Sequence, residues 1–138
     1  ISRNSPLRFY ADSGDLMNSL ISKRLIMAIF NKLSPMHDGA VIIYSDKIIA
    51  ARCILPVSER DDVPANFGLR HRAAVGMSEA TESLILIVSE ETGQISTAQN
   101  GILFENLSIK ALRQSVKEYF LDTDSTLKAE NAVVEEEA

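Results

Sequence analysis

The sequence is poor in the residues on which several classes of site depend. It holds one cysteine, Cys53, and no tryptophan among 138 residues. A single cysteine cannot form an internal disulfide or a cysteine-based zinc site. Because Cys53 lies in an apolar run, we expect a small buried side chain, in a protein of a reducing compartment. No apolar run approaches the roughly 18 residues that span a bilayer, and the composition is that of an ordinary globular domain.

Over most of the chain neither acidic nor basic residues are in excess. Of 19 acidic and 14 basic residues, six acids and one lysine lie in residues 121–138, which leaves 13 of each sign in residues 1–120. A neutral body without a basic stretch argues against a nucleic-acid-binding protein. We therefore predict a folded domain over residues 1–120 and an acidic, disordered tail over residues 121–138.

The common phosphate and nucleophile motifs are missing as well. The sequence has no Walker phosphate loop, no glycine-rich dinucleotide fingerprint and no Gly-x-Ser-x-Gly elbow. These absences direct attention to three polar clusters, each of which adjoins an apolar segment.

The hydrophobic pattern predicts an α/β protein whose central mixed β-sheet is flanked by helices. A first helix is expected over residues 15–33, where leucine and isoleucine recur at three- and four-residue spacing. Ser13 or Asp15 would cap this helix, and Ser34, which precedes a proline, would end it. The apolar run over residues 84–88 is expected to be a central strand, buried on both faces.

Shorter patterns predict the remaining elements. The dipeptides Ser45-Asp46 and Asn100-Gly101 each separate two strand-like runs, which indicates two hairpins. A polar stretch with two prolines indicates an exposed loop. In chain order we expect strands over residues 40–44 and 47–55, a loop over 56–66, a helix over 69–79, strands over 94–98 and 102–105, and a helix over 108–120 capped by Ser108.

The first polar cluster stands at the start of an apolar strand. Asp38 could hold a divalent cation and polarise a hydroxyl group. Gly39, directly after it, lets a phosphate or a second backbone approach closely. The same dipeptide is common in ordinary turns, and His37 before it is equally compatible with a surface position.

The second cluster, Arg70-His71-Arg72, follows Gly68 at the start of a predicted helix. Helix N-termini present unsatisfied N–H groups and a positive dipole end, both of which favour phosphate. Arginines placed there add charge-assisted bonds to phosphate oxygens. A solvated helix face would explain the same residues.

The third cluster, residues 89–93, ends the most apolar strand. In an extended chain Glu90 and Glu91 project to opposite faces, so at most one of them points into a given site. A solvated turn is the alternative interpretation. Taken singly, none of the three clusters shows whether its residues form a functional site or an ordinary solvated surface.

Taken together, the clusters resemble the diadenylate cyclase (DAC) domain family, whose signatures are Asp-Gly-Ala and Arg-His-Arg. The resemblance covers about residues 16–112, with the motifs in the family's order and spacing. The matching runs are His37-Asp38-Gly39-Ala40-Val41-Ile42-Ile43, Leu55-Pro56-Val57-Ser58, Gly68-Leu69-Arg70-His71-Arg72-Ala73-Ala74-Val75-Gly76 and Val88-Ser89-Glu90-Glu91-Thr92-Gly93. The resemblance implies a mixed, mostly seven-stranded sheet surrounded by helices.

It also implies an activity: the condensation of two ATP molecules into cyclic di-AMP, with release of two pyrophosphates and use of Mn²⁺, Mg²⁺ or Co²⁺. Each ribose 3′-hydroxyl must attack the α-phosphate of the other ATP, so two domains must face each other in a homodimer during turnover. The layout is most similar to the membrane-anchored bacterial branch. Because the sequence starts at Ile1 and not at Met, we expect an N-terminally truncated fragment. We expect the full-length protein to hold this domain in the cytoplasm, at the inner face of the membrane.

The resemblance implies roles for individual residues. Asp38 would act on the ribose 3′-hydroxyl and approach the metal, and Arg70 and Arg72 would act at the phosphates. The residues implied to contact the nucleotide are Gly39, Ala40, Leu55 (through its backbone, at the adenine edge), Gly68, Leu69, Arg70, His71, Arg72 and Ser89. The residues implied to bind the metal are His37, Asp38, Glu90 and Glu91.

One position departs from the family pattern. Leu69 stands where the family often has a threonine that contacts phosphate. The missing hydroxyl bears on the affinity for ATP more than on the type of reaction.

Two other functions stay open at this point. A catalytically weak nucleotide-binding sensor of the same fold would explain Leu69, although the intact Asp38, Arg70 and Arg72 favour an enzyme. A different metal-dependent nucleotidyltransferase or nucleotide hydrolase would use the same acids and arginines without a dimer. Its specific activity would not fall on dilution, whereas that of a two-site reaction would.

Overall fold

The computed structural model describes residues 1–61 and 68–121. Its elements are α1 Arg8–Ala11, β1 Asp15–Leu20, α2 Lys23–Ile29, a 3₁₀ helix Pro35–His37, β2 Ala40–Tyr44, β3 Lys47–Cys53, α3 Leu69–Ala80, β4 Ile85–Val88, β5 Ile95–Gln99, β6 Ile102–Leu107 and α4 Ile109–Leu121. The predicted α/β class is confirmed. The expected tail beyond Leu121, and the second half of the loop expected over residues 56–66, lie outside the described residues.

The strands form two three-stranded antiparallel sheets, in the orders β1-β3-β2 and β4-β5-β6. The first two residues lie between them. The Ile1 ammonium donates to the Leu84 carbonyl at 2.8 Å, and the Leu84 N–H donates back at 3.0 Å. Ser2 forms a parallel bridge with Tyr44 and donates to the Ile43 carbonyl at 2.8 Å. The expected sheet is therefore present as two antiparallel halves joined through residues 1 and 2, of which Ser2 makes a parallel contact and Ile1 exchanges both backbone hydrogen bonds with Leu84.

The helix expected over residues 15–33 is wrong, because β1 occupies its first six positions. β1 pairs antiparallel with β3 from Asp15 to Leu20, with a shift of register in the middle. Asn18, at that shift, has φ 51°, which marks a bulge. The pairing of β1 with β3 outweighs the helical spacing of its side chains. Within residues 15–33, the α-helix is therefore limited to α2.

The ends of the helices also differ from expectation. Ser22, and neither Ser13 nor Asp15, caps α2, since its hydroxyl accepts the Leu25 N–H at 3.0 Å. Ser34 begins the 3₁₀ helix instead of ending a longer one. The cap expected for α4 is confirmed, as the Ser108 hydroxyl accepts the Ala111 N–H at 3.1 Å. In the described part of the chain, no helix is both long and apolar enough to cross a membrane.

The core is divided among three clusters of buried side chains. Two lie against the first sheet and one joins α3 to the second sheet. Cys53 belongs to the first cluster and is 2% exposed. Burial, with a contribution from the charge of Asp15, raises the pKa of its thiol to about 11. The expectation of a small, buried cysteine is confirmed, and the raised pKa disfavours the reactive thiolate.

The expectation of a central strand buried on both faces is wrong for β4. In the described structure β4 lies at the edge of its sheet. Ile87 is buried, but Leu86 is 39% and Val88 52% exposed. The β5–β6 hairpin covers one edge of β4, while the described contacts along the other side are those of Ile1 with Leu84 and of the Arg70 guanidinium with the Val88 carbonyl. The described neighbours of β4 therefore leave part of its apolar surface exposed.

Candidate functional site

The turn that carries Asp38 is held against β3 by a close backbone contact. A Cβ atom on Gly39 would lie 2.7 Å from the Cα and the carbonyl carbon of Arg52, so only glycine fits there. The next residue, Ala40, pairs with Cys53 near the end of β3. Asp38 is exposed, and its carboxylate has no hydrogen bond or ion pair to the residues that the structure describes. The fold thus presents a free carboxylate on a fixed backbone.

His37 is oriented by the backbone of its own 3₁₀ helix. Its Nδ1 lies 2.6 Å from the Ser34 carbonyl oxygen. A carbonyl oxygen only accepts, so Nδ1 is the donor, and in the neutral ring Nε2 keeps a free lone pair. This arrangement is typical of metal-binding histidines, whose second nitrogen is fixed by a carbonyl or a carboxylate.

The N-terminus of α3 is open. Gly68 is its N-cap residue and supplies no side-chain cap. A Cβ atom on Gly68 would meet nothing within 4 Å, and Leu69 is 71% exposed. The N–H groups of Leu69 and Arg70 in this 12-residue helix have no hydrogen-bond partner among residues 1–61 and 68–121, and an anion would satisfy them.

Arg70 reaches from α3 to the end of β4. Its guanidinium donates to the Val88 carbonyl at 2.8 Å and forms an ion pair with Glu90. Glu91 is exposed. Only one of the two adjacent carboxylates meets the arginine cluster, which agrees with the opposite directions expected for neighbours. Ser89 stabilises the same turn, since its hydroxyl accepts the Thr92 N–H at 3.3 Å.

Arg72 joins α3 to the segment that follows β3. The Arg72 carbonyl accepts the Ser58 N–H at 3.0 Å, and its guanidinium donates to the Arg60 carbonyl at 3.4 Å. Leu55, half-buried, begins this segment. The Leu55–Ser58 run and the arginine helix, which are separate in sequence, are thus brought into contact.

His71 differs from the two arginines beside it. It is 8% exposed and lies on the buried side of α3. Burial, followed by the charge of Arg70, lowers its pKa, against a smaller opposing effect of Glu105. His71 is therefore an inward residue whose surroundings disfavour the charged ring. A direct charged contact with phosphate, implied by its place between Arg70 and Arg72, does not fit this environment.

The four residues expected to bind a metal do not come together. His37 and Asp38 are adjacent, whereas Glu90 is paired with Arg70. Among residues 1–61 and 68–121, no group of three histidine, cysteine, aspartate or glutamate side chains could hold a metal ion. The Asp38 carboxylate fits a hard divalent cation, and His37 Nε2 is a borderline donor that fits a first-row transition metal.

Glu79 and Arg60 were not singled out in the sequence. The Glu79 carboxylate accepts the Ser58 hydroxyl at 2.8 Å, and Arg60 donates to the Gly101 carbonyl at 2.6 Å. Ser58 belongs to a recognised motif, but Glu79 lies in the last turn of α3 and Arg60 in a charged run, where a solvated position is the ordinary expectation.

Comparisons with known proteins agree with this geometry. The family model described as DAC, DisA bacterial checkpoint controller nucleotide-binding, matches residues 1–103. Cyclic di-AMP synthase CdaA of Bacillus subtilis (strain 168) is 44% identical over 120 residues, which are 87% of this chain and 44% of that protein. The chain spans about half or less of the length of the curated relatives it matches.

Two solved structures are similar to most of this chain. A double cysteine mutant of DacA from Staphylococcus aureus superposes with a TM-score of 0.83 at 39% identity, covering 86% of this chain and 79% of that one. The hypothetical membrane spanning protein from Bacillus cereus gives a TM-score of 0.73 at 41% identity, covering 78% and 52%. The expected resemblance is confirmed by sequence and by fold, and the chain belongs to the DAC family.

Proposed function

We propose that this chain is the catalytic domain of a diadenylate cyclase, which condenses two ATP molecules into cyclic di-AMP and releases two pyrophosphates. The observation that carries the proposal is the open N-terminus of α3 beside Arg70 and Arg72, in a chain 44% identical to a protein named Cyclic di-AMP synthase. The free carboxylate of Asp38 adds the acidic group that such a reaction needs.

The α3 N-terminus would bind the phosphates of ATP. Backbone N–H groups of its first turn, from Leu69 onward, would donate to phosphate oxygens. Arg70 and Arg72 would neutralise the charge that develops on the pyrophosphate leaving group. The backbone of Leu55 would meet the adenine edge. Gly39, Ala40, Gly68 and Ser89 would line the nucleotide.

A divalent cation, Mn²⁺, Mg²⁺ or Co²⁺, would be bound by the Asp38 carboxylate and His37 Nε2. When bound, it polarises the ribose 3′-hydroxyl and neutralises phosphate charge. Asp38 would accept a hydrogen bond from that hydroxyl and orient it for attack. In this proposal Glu90 positions Arg70 and Glu91 stays in solvent, so neither is required as a metal ligand.

Turnover would need two copies of the chain. One site holds one ATP, and each 3′-hydroxyl attacks the α-phosphate of the other nucleotide, so two sites must face each other for both in-line displacements. We propose a homodimer with ATP as substrate and no nucleic-acid partner. For the full-length protein we propose a membrane anchor with this domain at the cytoplasmic face, in line with the name of its Bacillus cereus neighbour, a hypothetical membrane spanning protein.

The test is incubation of the chain with ATP and Mn²⁺, followed by mass spectrometry of the nucleotides across a dilution series. Cyclic di-AMP, formed with a specific activity that falls on dilution, is the expected result. Bound but unchanged ATP would support the sensor module instead. A mononucleotide product at constant specific activity would support a one-site hydrolase or transferase.

Leu69→Thr should raise the affinity for ATP. Leu69 is 71% exposed at the first position of α3, so a threonine fits without repacking. Its hydroxyl would supply the phosphate contact that the family often has. One added hydrogen bond predicts an affinity gain of about two- to tenfold, measured by calorimetry.

Leu69→Val is the matched control, because valine has the shape of threonine without the hydroxyl. Equal affinities of the threonine and valine variants would show that no phosphate lies at this helix end.

A further inference from the structure

The segment after β3 lies along one face of α3. Arg72, Gly76 and Glu79 share that face, at helical spacing of four and three residues. A Cβ atom on Gly76 would lie 2.1 Å from the Pro56 carbonyl oxygen and 2.7 Å from the Ser58 nitrogen. The main chain of the segment therefore rests directly on the helix between Arg72 and Glu79.

Three side chains fasten the segment at the Glu79 end of this face. The buried Ser58 hydroxyl donates to the Glu79 carboxylate at 2.8 Å and accepts the Arg60 N–H at 3.3 Å. The Arg60 guanidinium lies 3.5 Å from the same carboxylate and donates to the Gly101 carbonyl at 2.6 Å. Ser58, Arg60 and Glu79, which we call the Glu79 network, thus connect the segment to α3 and to the β5–β6 turn.

The Glu79 network is linked to Arg72 in two places. Ser58, held through its hydroxyl by Glu79, donates its N–H to the Arg72 carbonyl at 3.0 Å. Arg60, held by Gly101, offers its carbonyl to the Arg72 guanidinium at 3.4 Å. Arg72 belongs to the proposed phosphate site, while Glu79 lies two helical turns away from it.

We infer that the Glu79 network positions the Arg72 side chain for nucleotide binding, through the Arg60 main chain that Ser58 holds. The inference rests on the proposed function. The Arg60–Glu79 ion pair is 44% and 35% exposed, so it contributes little as a charge pair. The effect runs through the hydrogen bond from Ser58 to Glu79. Glu79 and Ser58 are therefore positioning residues, whose loss alters how Arg72 meets phosphate.

The test measures the affinity for ATP bearing an α,β-methylene bridge, which cannot release pyrophosphate, in the presence of Mn²⁺. Glu79→Ala should weaken binding about five- to tenfold, because a hydrogen bond to a charged group is lost. Glu79→Gln keeps an oxygen acceptor for Ser58 and should stay within about twofold of the wild type. Glu59→Ala, which removes an exposed carboxylate from the same segment, is the matched control and should bind normally.

A double-mutant cycle separates positioning from a general structural effect. In an Arg72→Ala background, Glu79→Ala should cost less than about twofold, because the side chain it positions is gone. Equal losses in both backgrounds, or normal binding by Glu79→Ala, would overturn the inference. Ser58→Ala breaks the same hydrogen bond from its other side and replaces Glu79→Ala if that variant does not fold. A wild-type chain that binds no nucleotide would instead contradict the proposed function, and this inference with it.

Discussion

Asp38→Asn is expected to abolish cyclic di-AMP formation while leaving the fold intact. The substitution removes one negative charge at nearly constant volume. If Asp38 orients the ribose 3′-hydroxyl and holds the cation, the rate should fall by about a thousandfold or more. Stability should change by less than about 0.5 kcal/mol, because the carboxylate is exposed and unbonded among the described residues. Product formation is read by mass spectrometry, and stability by thermal unfolding.

Asp46→Asn is the control for this variant. Asp46 lies in the β2–β3 turn, at the opposite end of β2 from Asp38, and its φ of 40° suits asparagine equally well. The control should retain full activity. An Asp38→Asn protein that keeps more than about a tenth of the wild-type rate would remove Asp38 from the reaction, since loss of a positioned acid–base group costs far more than tenfold.

The sequence predicts best those elements whose hydrophobic pattern and pairing partners along the chain favour the same structure. The β2–β3 and β5–β6 hairpins form where turn dipeptides separate apolar runs, since residues adjacent in the chain pair with each other. β1 fails this condition. Leu16 and Leu20 complete the helical spacing, yet they are 58% and 66% exposed, while Met17 packs against the core. Pairing with a strand some thirty residues away outweighs local periodicity, and a single sequence does not reveal that partner.

The candidate site shows the same division. Sequence makes Asp38, Arg70 and Arg72 candidates, because they stand in short runs at the ends of elements. It does not predict that Glu90 pairs with Arg70 or that Ser58 meets Glu79, since these contacts join residues 20 and 21 positions apart. Such contacts depend on how α3 docks, which is set by Gly76. Gly76 ends one of the matching runs, but the run does not reveal which segment lies against this glycine.

Gly76→Ala is accordingly expected to destabilise the fold strongly, although it adds only one methyl group to α3. In a helix interior, alanine normally stabilises by about 0.5–1 kcal/mol relative to glycine. Here the added Cβ would lie 2.1 Å from one backbone atom of the neighbouring segment and 2.7 Å from another. These are main-chain atoms, which cannot rotate away as the end of a side chain could, so the helix and the segment must separate. Overpacking of this kind costs about 3 kcal/mol, which lowers the melting temperature by about 10 °C.

The displacement should also reach the nucleotide site. Parting the Leu55–Ser58 segment from α3 breaks the bond from the Ser58 N–H to the Arg72 carbonyl, so affinity for ATP should fall together with stability. Gly68→Ala is the control for stability alone, because its Cβ meets nothing within 4 Å and its φ of −79° suits alanine. It should cost no more than about 1 kcal/mol, the usual penalty for alanine at an N-cap. A Gly76→Ala protein as stable as the wild type would show that the segment does not rest on this helix face, and the route from Glu79 to Arg72 would then have no physical basis.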